Sequence, residues 1–196
     1  MAKGTRTLTG KDGQRYRFDP GSLVLELLLT GGPTPYGRLW EDLNTPKDLA
    51  GWLTESRMAI TVPVSEVDFR ITPKELAAVK DFRDAMHEVA PALAHGEPVK
   101  DIDVLNAAAG ATPIPQIGGD GQLTWATPIT GRQVLGLLAD EAIHLVAVDS
   151  KRVHECSAAD CKLLFLDTSR SNNRRWCSME RCGNRNKVRV FRAKNG

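Results

Sequence analysis

The sequence predicts a mainly α chain with a small β-hairpin, divided into a helical N-terminal domain over residues 1–150 and a cysteine-built module over residues 151–196. Three observations carry this reading. Apolar residues recur at helical spacing behind capping signals at Ser22, Thr45, Thr72 and Thr130. All four cysteines of the 196-residue chain fall between positions 156 and 182. Charge divides at the same place: residues 151–196 hold twelve Lys or Arg against four Asp or Glu, a net of +8, whereas residues 1–150 hold fourteen against twenty, a net of −6.

Taken in order, Gln14 to Asp19 alternates Tyr16 and Phe18 with polar neighbours, as a short strand does. Behind Pro20-Gly21, Ser22 caps a helix from Leu23 to about Thr30. Its side chains leave little polar face, so it belongs in the core. Gly31 to Tyr36 reads as a loop, and Thr45-Pro46 opens a helix that packs Leu49, Trp52 and Leu53. Thr72-Pro-Lys-Glu75 is a capping box in front of the longest helix, with Leu76, Val79, Phe82, Met86, Val89 and Leu93 at core spacing. Pro91 is expected to kink or end that helix.

Asp101 to Ala109 is a further short helix, stopped by Gly110. Thr112 to Ile117 and Gln122 to Thr127 flank Gly118-Gly-Asp-Gly121, a hairpin with a glycine turn. A phosphate cradle would need a helix directly after such glycines, and here a strand follows. Thr130 caps a last helix with Val134, Leu135, Leu138, Ala142, Leu145 and Val146 on its apolar side, ending near Asp149. Ser150-Lys151-Arg152 is the joint to the C-terminal module.

Cys156 and Cys161 form one Cys-x4-Cys pair, and Cys177 and Cys182 form another, with fifteen residues between the pairs. Each loop can offer two thiolates to one tetrahedral zinc ion. The rival reading is two disulfides in any of three pairings; it needs an oxidising compartment, and the N-terminus shows no signal-peptide core. Zinc is therefore expected, one ion per chain. Four thiolates close its coordination sphere, which makes the site structural. Cys177 and Cys182 on one helix would point about 140° apart, so Cys177 is placed before a helix, Ser178 at its N-cap and Cys182 early within it. Leu163 to Leu166 reads as a buried strand, Ser169 to Asn173 as a turn and Arg174 to Trp176 as the return strand. This is a treble-clef-like or ribbon-like plan.

Phe165-Leu-Asp-Thr-Ser-Arg170, Arg174-Arg-Trp-Cys-Ser-Met179 and Cys182-Gly-Asn-Arg185, with Lys187-Val188 following, resemble the CGNR zinc-finger family of bacteria. The match covers some forty residues with every cysteine in register. The resemblance implies a stress-induced transcription regulator with a helical N-terminal domain and a finger that contacts DNA. It extends to Leu23–Thr30, where relatives tend to carry an Asp and an Asn; this chain has Glu26 and Leu29 there and keeps Thr30. If those polar positions serve a pocket in relatives, Leu29 alters it here.

The charge division independently suggests a polyanion-binding tail. Arg181, Arg185, Arg189 and Arg192 share an arc of about 80° if residues 179–192 form one helix. The candidate nucleic-acid contacts are Arg174, Arg175, Arg181, Asn184, Arg185, Lys187, Arg189 and Arg192, with Asn184 and Arg185 the candidate base readers. If Lys187 to Phe191 were instead a strand, the stripe would break after Arg185. The expected partner is double-stranded DNA, with a small-molecule or protein effector, or a second copy of the chain, at the N-terminal domain.

No nucleophile motif such as Gly-x-Ser-x-Gly is present, and the chain is not expected to be an enzyme. Asp84 with His87, and Glu141 with His144, stand three apart on their helices. Together with Glu26 they form part of a di-metal carboxylate set, which keeps a metal-dependent enzyme open as one alternative. A finger that binds protein rather than DNA is the other. Trp40, Trp52 and Trp125 are read as core residues before pocket residues, and His154 as a surface residue. With no long apolar run and no targeting segment, the expected location is the cytoplasm, at the nucleoid.

Overall fold

The computed structural model describes residues 3–10, 12–33, 39–100 and 102–195. The end of the expected Gly31–Tyr36 loop and the start of the helix expected from Asp101 lie outside the described residues.

The chain begins with an antiparallel hairpin, β1 (Arg6–Thr9) and β2 (Arg15–Phe18), in register from Arg6 opposite Phe18 to Thr9 opposite Arg15. Helix α1 (Leu23–Leu27) follows, and Ser22 caps it by accepting the Leu25 N–H. A 3-10 turn then runs to Thr30. Gly31–Pro33 is a strand rather than part of a loop: β3 pairs antiparallel with β4 (Leu39–Glu41), because Gly31 and Gly32 can pass close to Arg83 and His87 where a Cβ would collide. Helix α2 (Pro46–Glu55) opens with a Thr45–Asp48 capping box.

The long helix α3 (Pro73–His95) and helix α5 (Gly131–Ala147) form the centre of the body. Each is preceded by a two-residue strand, β5 (Phe69–Arg70) and β8 (Ile129–Thr130), and these pair in parallel, so the helices start side by side. Thr72 with Glu75 and Thr130 with Gln133 are capping boxes, and Glu75 Oε1 also accepts the Arg132 N–H of the neighbouring helix at 3.1 Å. The short helix α4 (Ile102–Ala108) and the hairpin β6 (Pro115–Ile117) with β7 (Leu123–Trp125) complete this part. Leu76, Val79, Phe82, Met86, Val89 and Leu93 are all buried, as their spacing predicts. Pro91 does not end α3. The helix continues to His95 and stops at Gly96 in the left-handed conformation (φ 71°), since one missing N–H does not outweigh buried Val89, Ala90 and Leu93 around it.

The C-terminal part differs from the expected hairpin. β10 (Leu164–Leu166) pairs not with Arg174–Trp176, which forms no strand, but with β9 (Val153–Glu155), which precedes the first cysteine. The connection from β10 to Cys177 is folded on buried Asp167 instead. One carboxylate oxygen accepts the Ser169 N–H at 2.8 Å and the other the Arg174 N–H at 2.7 Å. After Ser178 the chain makes one π-helical turn (Met179–Gly183) and continues as α6 (Asn184–Asn195). Lys187 to Phe191 is therefore helical.

Two apolar clusters result. The larger lies among α1, α3, α4 and α5, and Val153, Leu164 and Leu166 pack on it. The smaller combines the four cysteines with Phe165, and also with Tyr16 and Phe18 of β2. Strand alternation explains the division along β10: Leu164 and Leu166 point to the helices, and Phe165, between them, points to the cysteines. The chain crosses β10 at Gly21 (φ 79°), where a Cβ would lie 2.5 Å from the Leu166 carbonyl oxygen.

Arg83, only 2% exposed, donates from Nη1 and Nη2 to Glu41 at 2.9 Å each, joining α3 to β4. Burial raises the Glu41 pKa, but the bonds from Arg83 and Lys80 and from the Leu43 N–H outweigh it and hold the carboxyl down at about 2, against an ordinary 4.5. Arg83→Ala is expected to reduce unfolding free energy by about 2 kcal/mol, as loss of hydrogen bonds to a part-buried carboxylate does. Because the folded-state pKa is depressed, the Glu41 contribution is complete above pH 4.5 and is lost as pH falls towards 2. Urea unfolding of Glu41→Gln should show that the difference from wild type shrinks across this window; a constant difference would contradict the assignment.

Candidate metal centre and the helix it carries

Cys156 directly follows β9 and Cys161 follows a turn closed by the bond from its N–H to the Ala158 carbonyl, so the first Cys-x4-Cys loop forms the tip of the β9–β10 hairpin. The second loop reaches the same point from the other side: Cys177 precedes Ser178, which is extended at the N-cap, and Cys182 lies in the π turn. The Ser178 side chain makes no capping bond. All four thiols are buried and free, and the four Sγ atoms lie within 4.8 Å of one another. Cys161 and Cys177 are 3.7 Å apart and Cys177 and Cys182 3.5 Å.

A tetrahedral ion with metal–sulfur bonds of about 2.3 Å separates its sulfurs by roughly 3.8 Å. A disulfide requires about 2.05 Å. The geometry fits the ion. Hydrogen bonds from Cys161 and Cys177 push the Cys156 thiol down, whereas bonding to Cys156 pushes Cys161 and Cys177 up. Four such groups ionise together only around a cation, and the four cysteines can hold one zinc ion. It would supply folding energy, with all four positions taken by protein sulfur.

The basic residues around this site divide into two sets. Arg174 is packed over the Phe165 ring at 4.1 Å and donates to the carbonyls of Trp176, Cys177 and Asp19. Arg181 is 5% exposed, lies over the Tyr16 ring at 5.0 Å and pairs with Asp12 at 3.3 Å. Gly10 leaves room for its guanidinium, which a Cβ there would strike. Arg185 donates from both terminal nitrogens to Asp160, at 2.6 and 2.8 Å, and from Nη2 to Cys182 Sγ at 3.5 Å. These three arginines, read from the sequence as DNA contacts, hold the module together. Arg181 and Arg185 face inward because the first turns of the helix lie against the β1–β2 hairpin and the first cysteine loop, and Arg174, ahead of the helix, because it is stacked on Phe165 of β10. Arg175, Asn184, Lys187, Arg189 and Arg192 are exposed, and α6 buries no residue.

Sequence reasoning missed Asp160, Asp12 and Tyr16 as supports of the site. Only the Tyr16–Phe18 alternation hinted at the last. His154 is not among the ligands; its Nε2 meets Asn172 Oδ1 at 3.1 Å.

The other candidate metal set does not converge. Glu141 accepts the Leu23 and Val24 N–H groups at 3.1 and 2.6 Å, capping α1. Buried Glu26 pairs with Arg6 at 2.6 Å and accepts the Arg57 N–H. Burial raises its pKa and Arg6 opposes the rise. Asp84 pairs with Arg83, His87 meets the Gly31 carbonyl at 2.8 Å, and His144 is exposed. Among the described residues, the four cysteines are the group placed to hold a metal. A pocket of about 380 Å³ lies where α1 and α3 meet the β9–β10 hairpin, lined by Leu25, Leu28, Leu29, Trp40, Pro91 and Leu163 among others.

Two families match this chain. One, described as a putative stress-induced transcription regulator, covers residues 21–149, and the other, the CGNR zinc finger, covers residues 152–195. No curated protein matches the chain closely enough to be named as a relative.

Arg185→Gln should weaken zinc binding about 10- to 100-fold, as loss of a partner to a metal ligand does. Arg175→Gln, which changes an exposed arginine, should leave zinc affinity unchanged. Chelator competition measures both, and equal affinities would show that the Arg185–Cys182 contact does not support the metal.

Proposed function

We propose that this chain, which belongs to the family described as a putative stress-induced transcription regulator and carries a CGNR zinc finger, regulates transcription by binding double-stranded DNA through α6. One observation carries this reading. Residues 184–195 contain Arg185, Lys187, Arg189, Arg192 and Lys194 and no acidic residue, on a helix that buries nothing. A helix formed without an apolar face of its own in the core needs another reason to exist, and a polyanion meets its charge.

In this reading the zinc-bound cysteines fix the start of the helix. Arg174, Arg181 and Arg185 brace it against β10, β2 and the first cysteine loop. Lys187, Arg189 and Arg192, with Arg175 beside the second loop, face phosphates. The helical body receives the signal, and the pocket against the β9–β10 hairpin is the proposed effector seat, because a ligand there touches the strand pair that also bears Cys156. Leu29 gives its wall an apolar side chain, beside which His87, Glu88, Glu155 and Lys162 also line the pocket. No described helix is long and apolar enough to cross a membrane.

Anisotropy of the zinc-loaded chain on labelled duplex DNA over a salt series tests the reading. Binding should fall steeply with salt. Replacing Lys187, Arg189 and Arg192 by Ala should flatten the log–log slope by nearly three, at about 0.9 per phosphate contact. Cys182→Ser should abolish binding. An unchanged slope in the triple variant would remove α6 from the interface and favour a finger that binds protein.

A further inference from the structure

Phosphate contact does not explain why a helix that buries nothing exposes large apolar side chains. Phe191 is 68% exposed, Val188 49% and Val190 42%, the last lying past the lysines on the far side of the helix. At about 100° per residue, Asn184, Val188, Phe191 and Asn195 fall in one stripe roughly 60° wide. Arg185, Arg189 and Arg192 border it on one side, and Lys187 and Lys194 on the other. Around the helix the order is therefore cations, an amide–apolar stripe, then cations. A helix lying in the major groove meets two phosphate walls and a floor of base edges, in the same order.

The stripe has its own chemistry. An asparagine amide pairs bidentately with adenine N6 and N7, and apolar side chains contact the thymine methyl group. Guanine calls for Arg or Lys in the stripe, and none is there; Arg185, at its border, is engaged by Asp160 and Cys182. Asn184 and Asn195 donate to the Glu180 and Phe191 carbonyls at 3.4 and 3.0 Å. These bonds are local and exposed to water, so a change of rotamer exchanges them for a base edge. The two amides stand about 16 Å apart along the axis, close to five base-pair steps of about 3.4 Å.

Other occupants fit less well. A second copy of α6 would set five cations against five with no acid to pair them. A membrane surface asks for a broader apolar face with Trp or Leu, and here Val188 and Phe191 share one face while Val190 stands about 100° away from Phe191.

We propose that α6 reads adenine–thymine base pairs in the major groove through Asn184, Val188, Phe191 and Asn195, while Arg189 and Arg192 on one side and Lys187 and Lys194 on the other hold the two phosphate walls. This rests on the DNA reading above and adds the sequence class that is read.

The test compares the zinc-loaded full chain on three duplexes of equal length at moderate salt: mixed A·T, all G·C, and the A·T duplex with 7-deazaadenine and uracil replacing adenine and thymine. The A·T duplex should bind at least about fivefold more tightly than either of the others, each good base contact being worth that much or more. Asn184→Ala combined with Val188→Ser and Phe191→Ser should erase the preference while leaving zinc content and the salt slope unchanged, since none of these residues is buried. Equal binding to all three duplexes would overturn the proposal and leave the DNA reading standing. A preference for A·T that survives the base analogues would also overturn it, by placing contact in the minor groove. Absence of binding to any duplex, with binding to phosphatidylserine vesicles or to an acidic polypeptide, would overturn both.

Discussion

Four thiols held within 4.8 Å of one another cannot all ionise unless a cation shares their charge, and much of the C-terminal architecture follows from that condition. The apolar material beside the sulfurs is slight: Tyr16, Phe18 and Phe165 are the buried aromatic side chains of that cluster. A module of 46 residues falls well below the size at which apolar burial alone gives secure folding. Metal–sulfur bonding makes up the difference. It also fixes three otherwise separate pieces relative to one another: the β9–β10 hairpin, the π turn leading into α6, and the N-terminal hairpin packed on the cluster.

The same condition explains the division among the arginines. Zinc with four thiolates carries two negative charges, and the nearest guanidiniums are drawn to it and its supporting acids. Arg185 bonds Cys182 Sγ and Asp160, and Arg174 lies over Phe165 with its nitrogens on the backbone at Cys177. Arg181 is held further out by Asp12 and the Tyr16 ring. A count of charges along the sequence treats all of these as equally available. Position relative to the thiolates separates cations that hold the fold from the exposed Lys187, Arg189 and Arg192.

Most of the helical body was legible because its signals are local. Thr45, Thr72 and Thr130 are caps with a reciprocating Asp, Glu or Gln three residues on, and the apolar residues behind them keep helical spacing. The cysteine set was legible for a different reason, since two identical loops leave few other arrangements. Pairings between distant segments were not readable in the same way. Nothing adjacent to Leu164–Leu166 marks Val153–Glu155 as its partner over Arg174–Trp176, because both flank the turn-forming polar residues and both are short. Likewise Asp12 and Asp160 look like ordinary surface acids until folding brings Arg181 and Arg185 to them.

The alternation along β10 bears on how a regulator of this shape could work. Leu164 and Leu166 belong to the packing of the helices, Phe165 to that of the cysteines, and Leu164 also lines the pocket beside α1 and α3. A close-packed strand does not absorb a shift on one face without passing it to the other, since interiors lack the voids that would take it up. Filling the pocket therefore acts on a strand whose opposite side touches the metal ligands, some twenty residues before the helix that would meet DNA. The N-terminal hairpin constrains the same cluster from the far side through Tyr16 and Phe18, and Arg6 ties that hairpin to Glu26 in α1. Body and finger are thus linked by two separate routes, so their relative placement is set by packing and an ion pair, not by the joint at Ser150–Arg152 alone.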